Sequence, residues 1–225
     1  MLNIIKSSLN ANMRGISLVS NNIANSNTTA FKKSYSNFSD IYSKNIGDNP
    51  KGFSGMGVIN DSPRKQMFQG PLKQTNGALD LAVTGLGFFQ VVNENAVDPP
   101  FFTRDGSFNI TATGEVVTND GLKVMGYLGQ DNEILKNLVI PPRKTNEDQT
   151  ISLISNINVN SKGKITATYG FDDEEIIGNF ILASFPNETG LKQVGNNRYQ
   201  INTKSDCQIL AFQWRMHLVK LNLVI

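Results

Sequence analysis

Three groups of residues in this 225-residue chain have the types and spacing that chemistry would need. Asp80, Arg104 and Asp105 form the first, since two carboxylates and a guanidinium are what an acid–base pair with an anion anchor would use. Arg104 and Asp105 stand at what reads as a hairpin end, however, where such a pair serves as an ion pair or turn former. Asp172, Asp173, Glu174 and Glu175 would suit a hard cation, but they lack the alternating spacing and glycine of a calcium loop, so a solvated turn is expected. Cys207, Trp214 and His217 are the chain's only residues of their kinds. One thiol makes no internal disulfide, and with one imidazole it falls short of a metal-ligand set. Asn-X-Ser/Thr matches at Asn27, Asn60, Asn109 and Asn187 are what chance provides in so Asn-rich a chain. No catalytic site emerges, and the reading is of a non-enzyme with no cofactor, no metal and no small-molecule substrate.

What the chain does carry is a patterned N-terminus. Leu2, Leu9, Ile16 and Ile23 repeat every seven residues, and Ile5, Asn12 and Val19 fill the other heptad core position. That pattern predicts a helix whose narrow apolar seam runs along another helix. Asn12 interrupts the seam once, as a register-setting polar residue does. The run from Ser20 to Phe31 then ends the helix, because its Asn residues bond their own backbone and tolerate left-handed conformations. An ordinary amphipathic helix docked on its own domain is the competing view, but residues 32–75 offer little apolar surface for it.

The string Asn21-Asn22-Ile23-Ala24-Asn25-Ser26-Asn27-Thr28-Thr29-Ala30-Phe31-Lys32 resembles the N-terminal signature of the bacterial flagellar rod and hook proteins. The resemblance implies that this helix pairs with a C-terminal helix and that many subunits stack into a tubular axle. Its partners would be copies of itself, neighbouring rod, hook and cap proteins, and the flagellar export apparatus. A Gly commonly stands in that family where this chain has Ala30, which implies that the residue need not take a positive φ here. Phe31 is expected to be an apolar anchor for the segment after the turn.

Charged residues make up 18% of the chain and the net charge is +2, which points to no particular partner. Basic residues outnumber acidic ones in the first third, but no basic face interleaved with aromatics or nucleic-acid motif accompanies them, so no nucleic acid is expected. No apolar run is long enough to span a bilayer. Lys6, Asn10, Asn12 and Arg14 interrupt any secretory signal. The resemblance supplies a route that leaves the N-terminus uncleaved, flagellar type III export to the basal body and hook.

Residues 32–75 read as a connecting segment with a helical turn over Ser36 to Lys44, and Val58, Ile59, Met67 and Phe68 as material for short strands. The body, 76–204, reads as mainly β and antiparallel. A strand over Asp80 to Val83, a glycine bend and a second strand through Phe88 and Phe89 come first, then hairpin units from Pro100 to Ile110 and from Gly114 to Tyr127 around the Asn119-Asp120-Gly121 turn. The phrases Leu79-Asp80-Leu81-Ala82, Gly87-Phe88-Phe89 and Thr103-Arg104-Asp105-Gly106 again resemble the rod and hook family, in its order and spacing. Beyond the polar stretch Pro141 to Gln149, strands are expected over Ile151–Ile157, Ile165–Tyr169, Ile176–Phe185 and Arg198–Ile201, turning at Gly163, Gly170, Asn187 and Gly195.

The segment 205–225 differs in composition from everything upstream. We expect a frameshift near Ser205, because codons for it can be chosen so that a shifted frame resembles the stretch before the family's C-terminal helix; a genuine hydrophobic tail is the alternative. The functional expectation is a structural subunit of the flagellar hook or basal body that transmits torque. The missing outer-domain insertion favours the distal rod branch, while Asn25–Thr29 and Ser36–Tyr42 look hook-like. From another class, a β-rich surface or adhesin protein with a helical stalk would fit the same pattern.

Overall fold

A computed structural model describes residues 2–44, 53–93, 99–129, 135–145, 150–170 and 173–202; the proposed frameshift at 205–225 lies outside them. The chain divides into two units, Met1–Phe68 and Gln69–Ile225.

The first unit starts with helix α1 (Leu2–Ala24). The Asn-rich run ends it by local bonding: the Asn25 backbone N–H and side-chain amide both donate to the Asn21 carbonyl, at 3.1 and 2.9 Å. The residue that takes the left-handed conformation in this turn is not an asparagine but Ala30, at φ 57°. The expectation that the residue at 30 need not take a positive φ is therefore corrected, and the turn geometry is kept despite the methyl group. Strands β1 (Ser34–Tyr35), β2 (Phe38–Lys44), β3 (Phe53–Asn60) and β4 (Arg64–Lys65) follow, with β1 antiparallel to β4 and β2 to β3.

The helical turn expected over Ser36 to Lys44 is thus strand β2. Its apolar spacing is accommodated by a register shift between Ile41 and Tyr42, a bulge that breaks simple alternation. Val58 and Ile59 do pair, whereas Met67 and Phe68 follow β4 outside any strand. The Lys32 ammonium donates to the carbonyls of both, at 3.4 and 2.8 Å.

The second unit is one antiparallel sheet of thirteen strands among the described residues. They are β5 (Phe88–Val92), β6 (Phe101–Thr103), β7 (Phe108–Ile110), β8 (Val116–Thr118), β9 (Lys123–Leu128), β10 (Leu135–Asn137), β11 (Arg143–Thr145), β12 (Ile151–Val159), β13 (Lys164–Tyr169), β14 (Asp173–Phe180), β15 (Leu182–Ala183), β16 (Lys192–Gly195) and β17 (Arg198–Gln200). The main path runs β11-β12-β13-β14-β9-β5-β6-β17-β16. Strands β5 and β9 pair with each other and so close the meander, while β14 joins β9 and β17 joins β6. The two β-rich stretches of the sequence are therefore one sheet.

Strand β5 has an aromatic layer on each face, because successive side chains of a strand point opposite ways. Phe88 meets Phe185 and Tyr199 edge-on at 5.7 and 5.6 Å. Its neighbour Phe89 meets Phe108 and Phe180 at 5.0 and 6.1 Å. The second layer continues into the main core of Val91, Val116, Val124, Leu138, Ile140, Ile165 and Tyr169.

Four local expectations need correction. Asp80 to Val83 is not a strand; it is an extended run with an isolated bridge from Asp80 to Ser107. The polar stretch from Pro141 does not simply separate two β segments, since β11 forms within it and pairs with β12. Ile176 to Phe185 is interrupted at Ile181, so that β14 pairs with β9 and β15 with β5. Asp173, Glu174 and Glu175 open strand β14 rather than forming a turn (Asp172 lies outside the described residues), and the Lys144 ammonium bridges Asp173 and Glu175 at 2.7 and 3.2 Å. Those two hydrogen bonds raise the pKa of Lys144.

Candidate assembly surface

Helix α1 presents two different faces. The face turned to β3 is made mostly of small and polar residues: Ala11 is only 4% exposed, and Ser7, Ser8, Gly15 and Asn22 around it, with one large apolar residue, Leu18, are half-buried. The Asn60 side-chain amide donates to the Ala11 carbonyl at 2.9 Å, and the Phe38 ring lies close enough to Gly15 that a methyl group there would touch it. Asn22 acts as a strand partner for Ser34. Its amide donates to the Ser34 carbonyl at 2.8 Å, and its oxygen accepts the Ser34 N–H at 3.0 Å. The helix thus has a docking face, but polar contacts and close approach make it, not the heptad seam.

The seam lies roughly a third of a turn away round the helix. Leu2, Ile5, Leu9, Ile16, Val19 and Ile23 are all exposed, from 57% at Val19 to 82% at Leu2, and Asn12 among them is exposed too. Burying any one of these apolar side chains is worth about 1–2 kcal/mol, a gain left unrealised within the described residues. Phe31, half-buried, receives the Lys65 ammonium over its ring at 5.3 Å. Burial there lowers the Lys65 pKa. Ala24 closes α1, and Thr28 bonds the Asn25 side chain at 3.3 Å.

The residues singled out in the body meet at a different kind of place. Arg104 is almost fully buried. Its Nε donates to the Gly87 carbonyl at 3.1 Å, its Nη2 to Glu188 Oε1 at 2.6 Å, and its guanidinium lies 4.6 Å from the Phe88 ring centre. The Leu81 N–H donates to the Gly106 carbonyl at 2.9 Å, and a side chain at 106 would run into the Leu81 backbone, so glycine is required there. Asp105 turns the chain, its backbone N–H held by Thr103 Oγ1 and its carboxylate accepting from Ser107 N–H. Gly87, Phe88 and Arg104 thereby meet in one knot, next to which Gly106 is tied to Leu81. Asp80 bridges Ser107 and is itself exposed, and Phe89 pairs with Thr103 but packs in the opposite layer.

Glu188, the ion-pair partner, was missed in the sequence, where it stands 84 residues from Arg104 in a polar run with no signal of its own. Tyr199, beside this pair, has a buried hydroxyl without a hydrogen-bond partner. Burial raises its pKa first, with Arg104 lowering it and Glu188 raising it. Among the described residues no group of three or more His, Cys, Asp or Glu could hold a metal ion, and no helix is long and apolar enough to cross a membrane.

The body is an antiparallel sheet, and the heptad residues of the N-terminal helix are exposed among the described residues. The family model for the flagellar hook protein FlgE/F/G D1 domain matches residues 82–167, which include Arg104 and end within β13. The flagellar basal-body rod protein FlgG of Buchnera aphidicola subsp. Baizongia pistaciae is 32% identical over 211 residues, covering 88% of this chain and 72% of the relative. FlgG of Agrobacterium fabrum is 29% identical over 223 residues, covering 93% and 77%. The flagellar hook protein FlgE of Helicobacter mustelae is 38% identical over 136 residues, covering 56% and 30%. The chain belongs to the flagellar hook and basal-body rod protein family, and is a flagellar structural subunit.

Proposed function

We propose that this chain is a rod-type subunit. It packs helically with copies of itself and with neighbouring rod, hook and cap proteins into a tubular axle that transmits torque, and it arrives through the flagellar type III export apparatus. The observation that carries this reading is the exposed seam of α1, a stripe that has no partner among the described residues and would gain one from another helix laid along it. In the assembled axle Leu2, Ile5, Leu9, Ile16, Val19 and Ile23 line helix–helix contacts of the inner tube, with Asn12 setting register, and the β body forms an outer layer. Rod over hook is supported by coverage: the rod relatives are matched over most of their length, the Helicobacter mustelae hook protein over less than a third.

The test is incorporation. An epitope-tagged full chain expressed in a flagellated bacterium is expected in purified basal bodies, and the same chain with Ile16→Asp is expected to be absent from them. Because Ile16 is exposed, the substitution should move the melting of the isolated chain by no more than about 0.5 kcal/mol. Equal incorporation of both chains would overturn the role given to the seam.

A further inference from the structure

We infer that Asn76 is a site of spontaneous deamidation that this fold leaves open while closing the two other dipeptides of the same susceptible kind. In the reaction the backbone nitrogen of the following residue attacks the side-chain Cγ. A nitrogen–carbon bond forms, the bond to the amide nitrogen breaks, and ammonia leaves with the proton from the backbone N–H. Water then opens the cyclic imide at either carbonyl and yields aspartate or isoaspartate, with no change of oxidation state. A following glycine favours the reaction, because without a Cβ the backbone reaches the attacking geometry most readily.

Asn76-Gly77 is the chain's one Asn-Gly pair, and Asp105-Gly106 and Asp120-Gly121 are its Asp-Gly pairs, which form the same imide by loss of water. The three differ in how their backbone is held. Gly106 is pressed against the Leu81 backbone, its carbonyl accepts the Leu81 N–H at 2.9 Å, and the Asp105 carboxylate accepts from Ser107 N–H. The Gly121 N–H, which would be the nucleophile at the second pair, donates to the Thr118 carbonyl at 2.9 Å inside the β8–β9 turn.

At the third pair no neighbouring backbone presses on the glycine, and its N–H is not bonded among the described residues. Asn76 is exposed in a stretch without strand or helix, and among the described residues neither its side chain nor the Gly77 N–H has a hydrogen-bond partner. Only the Gly77 carbonyl is held, weakly, by the Asp80 N–H at 3.3 Å. Each event places a new negative charge in the chain between Phe68 and the buried Leu79. In the isoaspartyl form it also lengthens the backbone there by one carbon.

The full chain is incubated above neutral pH, digested, and mapped by mass spectrometry with isoaspartate-specific methylation. Amide-to-acid conversion is expected in the peptide holding Asn76 and is expected to vanish in Asn76→Gln. (Gly77 is left alone because the Asp80 carboxylate fills the space a side chain there would need.) Repeating the incubation in denaturant separates chemistry from fold: isoaspartate at Asp105 and Asp120 should appear roughly tenfold faster or more, since both sites need opening first. The rate at Asn76 should stay within about twofold. An equal acceleration at all three, or an Asn76 that stays intact in the native chain, would overturn the inference.

Discussion

Helix α1 and the Arg104 knot both carry phrases that mark this family, and they use their residues in opposite ways. In the body, Phe88, Phe89, Arg104 and Gly106 are consumed internally: rings fill both faces of β5, the guanidinium is buried on Glu188, and the glycine admits a neighbouring backbone. In α1, small and polar residues make most of the contacts to the fold while the large apolar heptad residues face outward. A soluble domain normally does the reverse. The difference shows that a shared motif has no single meaning: one fixes a structure within the chain, while the other leaves an apolar stripe uncovered among the described residues.

The sharpest way to break that comparison is to remove the buried cation. Arg104→Met leaves Glu188 buried without its partner and the Gly87 carbonyl without a donor, and is expected to cost the body about 3–5 kcal/mol in a thermal or urea melt. The double variant Arg104→Met, Glu188→Met should recover much of the loss, because no uncompensated charge is left. If the single variant melts like the parent chain, the knot is not holding the body together, and the contrast with the exposed seam collapses.

Much of this was legible from local pattern. The heptad seam, the helix end and the meander from Phe88 to Tyr127 each depend on side chains close in sequence. What was not legible depended on distance or on a competing local rule. Glu188 is found only by folding. Phe38 and Ile41 have helical spacing, but the pairing of β2 with β3 and a bulge outweighed it. Asp173 to Glu175 looked like a solvated turn because Lys144, across the sheet on β11, lies in a stretch that read as a linker. The seam itself was easy to see. What was hidden is the opposite face around Ala11, which docks on β3 through polar contacts that no hydrophobic pattern announces.

A smaller effect is expected at the turn that ends α1. Holding Ala30 at φ 57° costs about 1–2 kcal/mol relative to a right-handed conformation. Ala30→Gly removes that cost but adds conformational freedom to the unfolded chain, so the net gain should be roughly 0.5–1 kcal/mol. Hydrogen exchange should report it as added protection from Asn25 to Ser34, while the melt of the body stays where it is. Loss of protection instead would mean that the methyl group contributes packing that outweighs its strain.

A comparable effect distinguishes a used hydroxyl from an unused one inside the body. Tyr169 Oη donates to the Pro141 carbonyl at 2.8 Å, whereas buried Tyr199 Oη has no partner. At neutral pH, Tyr169→Phe should cost about 1 kcal/mol and Tyr199→Phe close to nothing. Alkaline pH then separates Tyr199→Phe from the parent chain. Burial holds the folded pKa of Tyr199 above its ordinary 10.0, so the unfolded chain loses that proton first as pH rises. The contribution is fully present below the unfolded pKa and is lost as pH climbs toward the folded one. The parent should therefore lose stability above about pH 10 more steeply than Tyr199→Phe. Parallel pH curves would mean that the hydroxyl reaches water or a partner in solution, and that the layer around Phe88 is less closed than its aromatic contacts imply.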